Sequence, residues 1–216
     1  MSIDAKICGL STAAAVDAAV AGGARFVGFV FYPASPRNVT PEQAAALAAR
    51  VPAGVTRVGL FVDAPDPTLA AVLERGALDM LQFHGNESPR RVAEVKANFR
   101  KPVMKAIPIA GPEDPDAALP YLEVADWLLF DAKPPRMDLK ALPGGNGLVF
   151  DWQLLGGRTW SRPWMLSGGL TAANVAEAVA TTHARAVDVS SGVELKPGEK
   201  DLAKIARFLE TVRGLT

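Results

Sequence analysis

Cys8 is the only cysteine of the chain and lies in Ile3-Asp4-Ala5-Lys6-Ile7-Cys8-Gly9. A thiol with no second cysteine cannot form an intrachain disulfide, so it is either a small buried filler or a reacting group. Lys6 stands two residues earlier. In an extended segment the two share a face, and a nearby ammonium favours the thiolate. Asp131 ends the apolar run Leu128-Leu129-Phe130-Asp131. It is either a turn cap or an acid. A thiol and a carboxyl held across one opening make a base and an acid, the pair that moving a proton requires.

Other residues suit anion binding. Arg37, in Ser35-Pro36-Arg37, is either a solvated loop residue or a guanidinium able to grip a carboxylate through two parallel hydrogen bonds. Ser167-Gly168-Gly169-Leu170 and Ser190-Ser191-Gly192-Val193-Glu194 are glycine-bearing turns. Glycine lets backbone N–H groups come close to an oxyanion, and a helix start adds a favourable dipole. Each is a plain turn or part of a phosphate site. Gly144-Gly145-Asn146-Gly147 reads as a lid or a linker. Asp188 shares a face with Ser190 and reads first as a carboxylate hydrogen-bonded in the core. His84 reads as a satisfied structural group. Two histidines and one cysteine give no ligand cluster with zinc spacing, and no dinucleotide or Walker fingerprint follows a strand.

These residues need elements to bring them together. Short apolar runs alternate with alanine-rich helical stretches. The runs Ile3–Cys8, Phe26–Phe31, Arg57–Val62, Met80–Phe83, Val103–Pro108, Trp127–Asp131, Pro163–Ser167 and Ala186–Ser190 read as strands. Eight strands separated by helices point to an α/β fold, a closed (β/α)8 barrel of the TIM type in one domain spanning 1–216. Thr40-Pro41-Glu42-Gln43 is a capping box with proline at the first helical position. Asp66-Pro67 and Ser88-Pro89 carry the cap-plus-proline signal, and helix Thr12–Ala21 stops at Gly22-Gly23. The sixth unit is the irregular one. A glycine- and proline-rich stretch runs from Asp131 to Pro163, with a short helical signal near Asp151–Leu155. In such barrels the active site lies at the C-terminal ends of the strands. Cys8, Arg37, His84, Asp131 and both glycine-bearing turns fall at those ends or just beyond them.

The bulk properties narrow the partners. The chain has 216 residues, 49% hydrophobic, with 23 basic and 23 acidic side chains. No basic run suggests nucleic acid, and an anionic substrate has to be held by local groups. No apolar run approaches the ~20 residues of a membrane span. A soluble cytoplasmic protein, monomer or homodimer, acting on a small phosphorylated molecule is expected.

In order and spacing, these motifs resemble the phosphoribosylanthranilate isomerase family of tryptophan biosynthesis over nearly the whole chain. They are Lys6-Ile7-Cys8-Gly9, Gly28-Phe29-Val30-Phe31 with Ser35-Pro36-Arg37, Leu81-Gln82-Phe83-His84-Gly85, and Asp131 with Gly144–Gly147. Phe150-Asp151-Trp152, Ser167–Leu170, Asp188–Glu194, Pro197-Gly198 and Lys200-Asp201 complete the series. The resemblance implies an Amadori rearrangement of N-(5-phosphoribosyl)anthranilate without cofactor or metal. Asp131 would be the general acid and Cys8 the general base. Arg37 would hold the anthranilate carboxylate, and Gly168, Gly169, Ser191 and Gly192 the phosphate. Lys6, Asp188 and Ser190 would complete the binding site. Asn146 stands where the family usually has threonine, and Ala132 where a small hydroxyl residue is common.

Three rivals remain at this point. A related isomerase of histidine biosynthesis uses two aspartates, and Cys8 argues against it. A Schiff-base aldolase would use Lys105. An inert phosphate-binding barrel would keep only the glycines.

Overall fold

A computed structural model describes residues 2–75, 78–133 and 144–215. Eight parallel strands close into a barrel in chain order: β1 (Asp4–Cys8), β2 (Phe26–Phe31), β3 (Thr56–Phe61), β4 (Met80–Phe83), β5 (Val103–Ile109), β6 (Trp127–Ala132), β7 (Trp164–Leu166) and β8 (Ala186–Val189). Closure is made by β1 on β8, in the register Lys6 to Asp188. The expected strands agree with these to within one or two residues at their ends.

The outer layer holds α1 (Ala13–Ala21), α2 (Pro41–Ala48), α3 (Asp66–Leu73), α4 (Pro89–Phe99), α5 (Val175–Thr182) and α6 (Leu202–Arg213). Thr12 and Ser88 cap α1 and α4, and the Thr40–Gln43 capping box is formed at α2. At α3 the cap differs from expectation. Pro65 occupies the capping position, and Asp66 is already helical, with no side-chain cap. Among the described residues, units five and six show no α-helix. Unit five has a 3-10 segment, Asp114–Tyr121, with Pro115 near its start and Pro120 inside it; Pro115 suits a first turn, but Pro120 lacks the donor an α-helix needs there. Among its described residues unit six has the 3-10 turn Trp152–Leu154, capped by Asp151. Residues 134–143 of the long sixth loop lie outside the described residues. After β8 comes a small hairpin, β9 (Glu194–Lys196) with β10 (Glu199–Lys200). Among the described residues no helix is long and apolar enough to cross a membrane.

Strand alternation produces two interiors. Outward-facing residues such as Ile7, Phe29, Phe83, Phe130 and Val187 pack under the helices. Inside the barrel, Phe26, Val58, Met80, Met104, Ala106, Leu129, Met165 and Ala186 form an apolar plug. One pleat further along four strands the inward position turns polar: Met80 is followed by Gln82, Leu129 by Asp131, Met165 by Ser167 and Ala186 by Asp188, all four polar residues buried. The plug is therefore the floor on which a polar layer stands. Leu129 is fully buried in it, so Leu129→Ala is expected to cost about 2–5 kcal/mol of stability in urea unfolding. A cost near zero would show that the floor collapses to fill the gap.

Candidate active site

At the C-terminal mouth, one cavity is lined by Cys8, Arg37, His84, Asp131, Gly144–Gly147, Ser167–Gly169 and Asp188–Gly192, among others. The sequence-derived candidates thus meet in one place, with one exception. Lys6 is fully buried and lies beneath the cavity rather than in its wall. Its ammonium is turned to Asp188 and Cys8 instead.

Lys6 Nζ donates to Asp188 Oδ1 at 2.9 Å, and Ser167 Oγ donates to Asp188 Oδ2 at 3.2 Å. Burial alone would pull the Lys6 ammonium down, but Asp188 and Cys8 outweigh it and hold its pKa above the ordinary lysine value. Gly28, on the neighbouring strand, leaves room for this group: a Cβ there would sit 3.0 Å from Cys8 Sγ and 3.3 Å from Lys6 Nζ. Burial pushes the Cys8 thiol above its ordinary value. Lys6 pulls it back, Asp188 pushes it up, and Lys200 pulls it down. Breaking the Lys6–Asp188 pair leaves a buried carboxylate without its cation. Lys6→Met is therefore expected to destabilise the fold by about 3–5 kcal/mol. A loss under about 1 kcal/mol in denaturant unfolding would mean water reaches Asp188.

Asp131 is held from two sides. Its Oδ1 accepts from the Ala132 N–H at 2.9 Å, and its Oδ2 lies 3.1 Å from His84 Nε2. His84 Nδ1 in turn lies 3.2 Å from Gln82 Nε2, while Gln82 Oε1 is buried and finds no partner among the described residues. The amide can present either end to the ring. With its NH2 toward Nδ1, the imidazole carries its proton on Nε2 and donates to a carboxylate. With its oxygen toward Nδ1, the ring carries the proton there, and Nε2 can accept from a neutral carboxyl. Both protonation states of Asp131 therefore have a partner.

His84 is fixed from behind. Lys105 Nζ donates to Gly85 O at 2.7 Å and pairs with Glu87 Oε2 at 3.0 Å. Glu87 also accepts from the N–H groups of Asp63 and Gly85. This buried pair ties the loops after β3 and β4 together. It also removes the aldolase reading: Met104 and Ala106 fill the barrel interior, so Lys105 between them faces the helices, away from the cavity.

Arg37 is buried, with its fork engaged. Nε and Nη2 donate to the two oxygens of Glu194 at 2.8 Å each, and Nη2 also reaches Gly145 O at 3.1 Å. A bidentate grip on a substrate carboxylate does not fit this arrangement, since Glu194 already occupies that edge; Nη1 is the remaining donor. Glu194 also accepts from Lys200 Nζ at 2.8 Å. Burial would raise the Glu194 carboxyl, but Arg37 and Lys200 prevail and hold it below the ordinary value.

The two glycine-bearing turns interlock. A Cβ on Gly192 would fall 1.8 Å from Leu170 O, and Gly168 has φ +91° with a virtual Cβ 2.8 Å from the Ala132 nitrogen. Only glycine permits either approach. Among the described residues the N–H groups of Gly168, Gly169, Ser191 and Gly192 find no acceptor, and all four residues line the cavity. Unpaired N–H groups at a closed mouth are suited to an oxyanion.

Three partners escaped the reading of single residues. Gln82 is legible as an amide in an otherwise apolar strand. Glu194 and Lys200 have no local signal, since their role depends on the hairpin returning Lys200 to the end of β8.

Residues 5–211 match the family model described as N-(5'phosphoribosyl)anthranilate (PRA) isomerase. The chain is similar to N-(5'-phosphoribosyl)anthranilate isomerase of Rhodospirillum centenum, 58% identical over 215 residues and 100% of both chains. Its structure is similar to phosphoribosyl anthranilate isomerase of Thermotoga maritima, with TM-score 0.87, 36% identity, and 99% and 100% of the two chains covered. It is also similar to a phosphoribosyl anthranilate isomerase solved in complex with reduced 1-(o-carboxyphenylamino)-1-deoxyribulose 5-phosphate. There the TM-score is 0.83, the identity 34%, and the coverage 99% and 100%.

Proposed function

Because the chain belongs to the N-(5'phosphoribosyl)anthranilate (PRA) isomerase family and is an isomerase of tryptophan biosynthesis, we propose that it rearranges its substrate with Asp131 as general acid and Cys8 as general base. One observation carries this reading: a thiol and a carboxyl face one cavity that also holds two separate anion sites, Arg37 and the unpaired N–H groups of the last two loops. The ligand of the similar structure has two anionic ends, a carboxylate and a phosphate. The Arg37 site suits the carboxylate through Nη1. The N–H groups of Gly168, Gly169, Ser191 and Gly192 suit the phosphate.

Held by its two ends, the sugar presents its ring to the acid and the base. Asp131 gives its proton to the ring oxygen as the C1′–O bond breaks, and the anthranilate nitrogen lone pair forms C1′=N⁺. Cys8, as thiolate, takes the proton from C2′. The freed C–H electrons form C1′=C2′ and return the C=N pair to nitrogen. The enol then loses its hydroxyl proton and gains one at C1′, giving the ketone. His84 supports Asp131 on both sides of its proton transfer, through the alternatives described above. Lys6, beneath the cavity, and Asp188, in its wall, act on the charge of Cys8.

The test uses the wild-type protein and freshly prepared N-(5-phosphoribosyl)anthranilate. Steady conversion to 1-(2-carboxyphenylamino)-1-deoxyribulose 5-phosphate is expected, and stoichiometric alkylation of the single thiol should abolish it. Turnover that survives complete alkylation of Cys8 would remove the base assigned here.

A further inference from the structure

A second ammonium approaches Cys8 from outside the eight strands. Lys200, on β10, keeps only 2% of its side chain exposed. Its Nζ donates to Ser190 O at 2.9 Å, to Ser190 Oγ at 3.3 Å and to Glu194 Oε1 at 2.8 Å. The Ser190 hydroxyl lies 3.3 Å from where a Cβ on Gly9 would stand, the residue next to Cys8, and Arg37 Cδ lies 2.6 Å from the same point. The hairpin thus folds back to seat one cation on Ser190, which stands against the backbone next to Cys8.

The charged groups around Cys8 come from five segments: Lys6 on β1, Asp188 on β8, Glu194 on β9, Lys200 on β10 and Arg37 after β2, with Asp131 and His84 across the mouth. In the buried cluster on the Cys8 side, three cations stand against two carboxylates. One positive charge is unmatched while the thiol is neutral and matched once it ionises. We propose that Lys200 is a positioning residue for the isomerisation, seated by Ser190 and Glu194 so that its charge favours the Cys8 thiolate. This rests on the reading of Cys8 as the base. Opposite charges at close range favour ionisation of a thiol. Burial lowers the Lys200 ammonium, Glu194 and Cys8 oppose that, and Arg37 adds to it. Glu194 therefore favours the charged form of Lys200, and one carboxylate serves both Lys200 and the anion site at Arg37.

Because the chain has a single cysteine, thiolate absorbance in the free protein reports Cys8 alone. In Lys200→Met the thiol titration midpoint is expected to rise by about one pH unit, so alkylation at pH 7 slows about tenfold. The acidic limb of kcat/KM should move up by the same amount, and Lys200→Arg should restore all three. A midpoint unmoved in folded Lys200→Met overturns the proposal. If Lys200→Met does not fold, Cys8→Ser decides. Coupling is reciprocal, so the Lys200 side-chain pKa, read by NMR of its Cε, must fall when the thiol is gone; no change overturns the proposal equally. An active Cys8→Ser protein would instead remove the base itself. An unmoved thiol titration beside an inactive Cys8→Ser removes only the role of Lys200.

Discussion

Asp131→Asn is expected to lower kcat by about 10²–10⁴, the range general acid catalysis supplies, while a product analogue still binds. Asparagine keeps the shape of the side chain and an oxygen for the Ala132 N–H. It also keeps a polar group facing His84 Nε2. It has no acidic proton for the departing ring oxygen. The loss should therefore appear in kcat with little change in ground-state affinity. A kcat within about tenfold of wild type would move the acid elsewhere, and His84 would be the next residue to test.

Cys8→Ser should cost a comparable factor, about 10²–10⁴ in kcat. The hydroxyl fits the site but is too weak an acid to provide an anionic base there. The wild-type pH profile gives a second view. Burial holds the Cys8 thiol above its ordinary value despite Lys6 and Lys200. Raised in the folded state, it is mostly neutral at pH 7, and its thiolate fraction climbs about tenfold per pH unit below its midpoint. A base-limited kcat/KM must therefore fall as pH is lowered. The rate of Cys8 alkylation should follow the same limb. If alkylation and kcat/KM titrate at different midpoints, the thiolate is not the group that limits the reaction.

Much of this was legible because barrel architecture turns a sequence position into a place. Cys8, Asp131 and the two glycine-bearing turns were each found as the residue at which a strand stops, and strand ends all open on one mouth. Alternation of faces also held the answer for Lys105, since Met104 and Ala106 on either side of it are the residues that fill a barrel. What sequence reading missed were relations between distant segments. Nothing near Arg37 announces that its fork is taken by a carboxylate 157 residues away. His84 read as structural when taken alone; only the ends of β4 and β6, brought together across the barrel mouth with β5 between them, give it Asp131 as a partner. The irregular sixth unit was legible, its short helical signal near Asp151–Leu155 being the 3-10 turn Trp152–Leu154, whereas unit five, read only as part of the strand–helix alternation, has a 3-10 segment with Pro120 inside it.

The register of β1 on β8 has a consequence for how the protein comes into being. The Lys6–Asp188 bond spans 182 residues, and Lys200 lies further along still. Synthesis runs from N- to C-terminus, so Cys8 leaves the ribosome long before Asp188, Glu194 and Lys200. Until β8 and the following hairpin dock, it is a thiol in an open sheet, without the burial and paired charges that set its acidity. Reactivity of this single side chain is thus a clock for barrel closure. Pulse alkylation during refolding should show Cys8 passing from solvent-like to protected behaviour in the final step, when β1 and β8 pair.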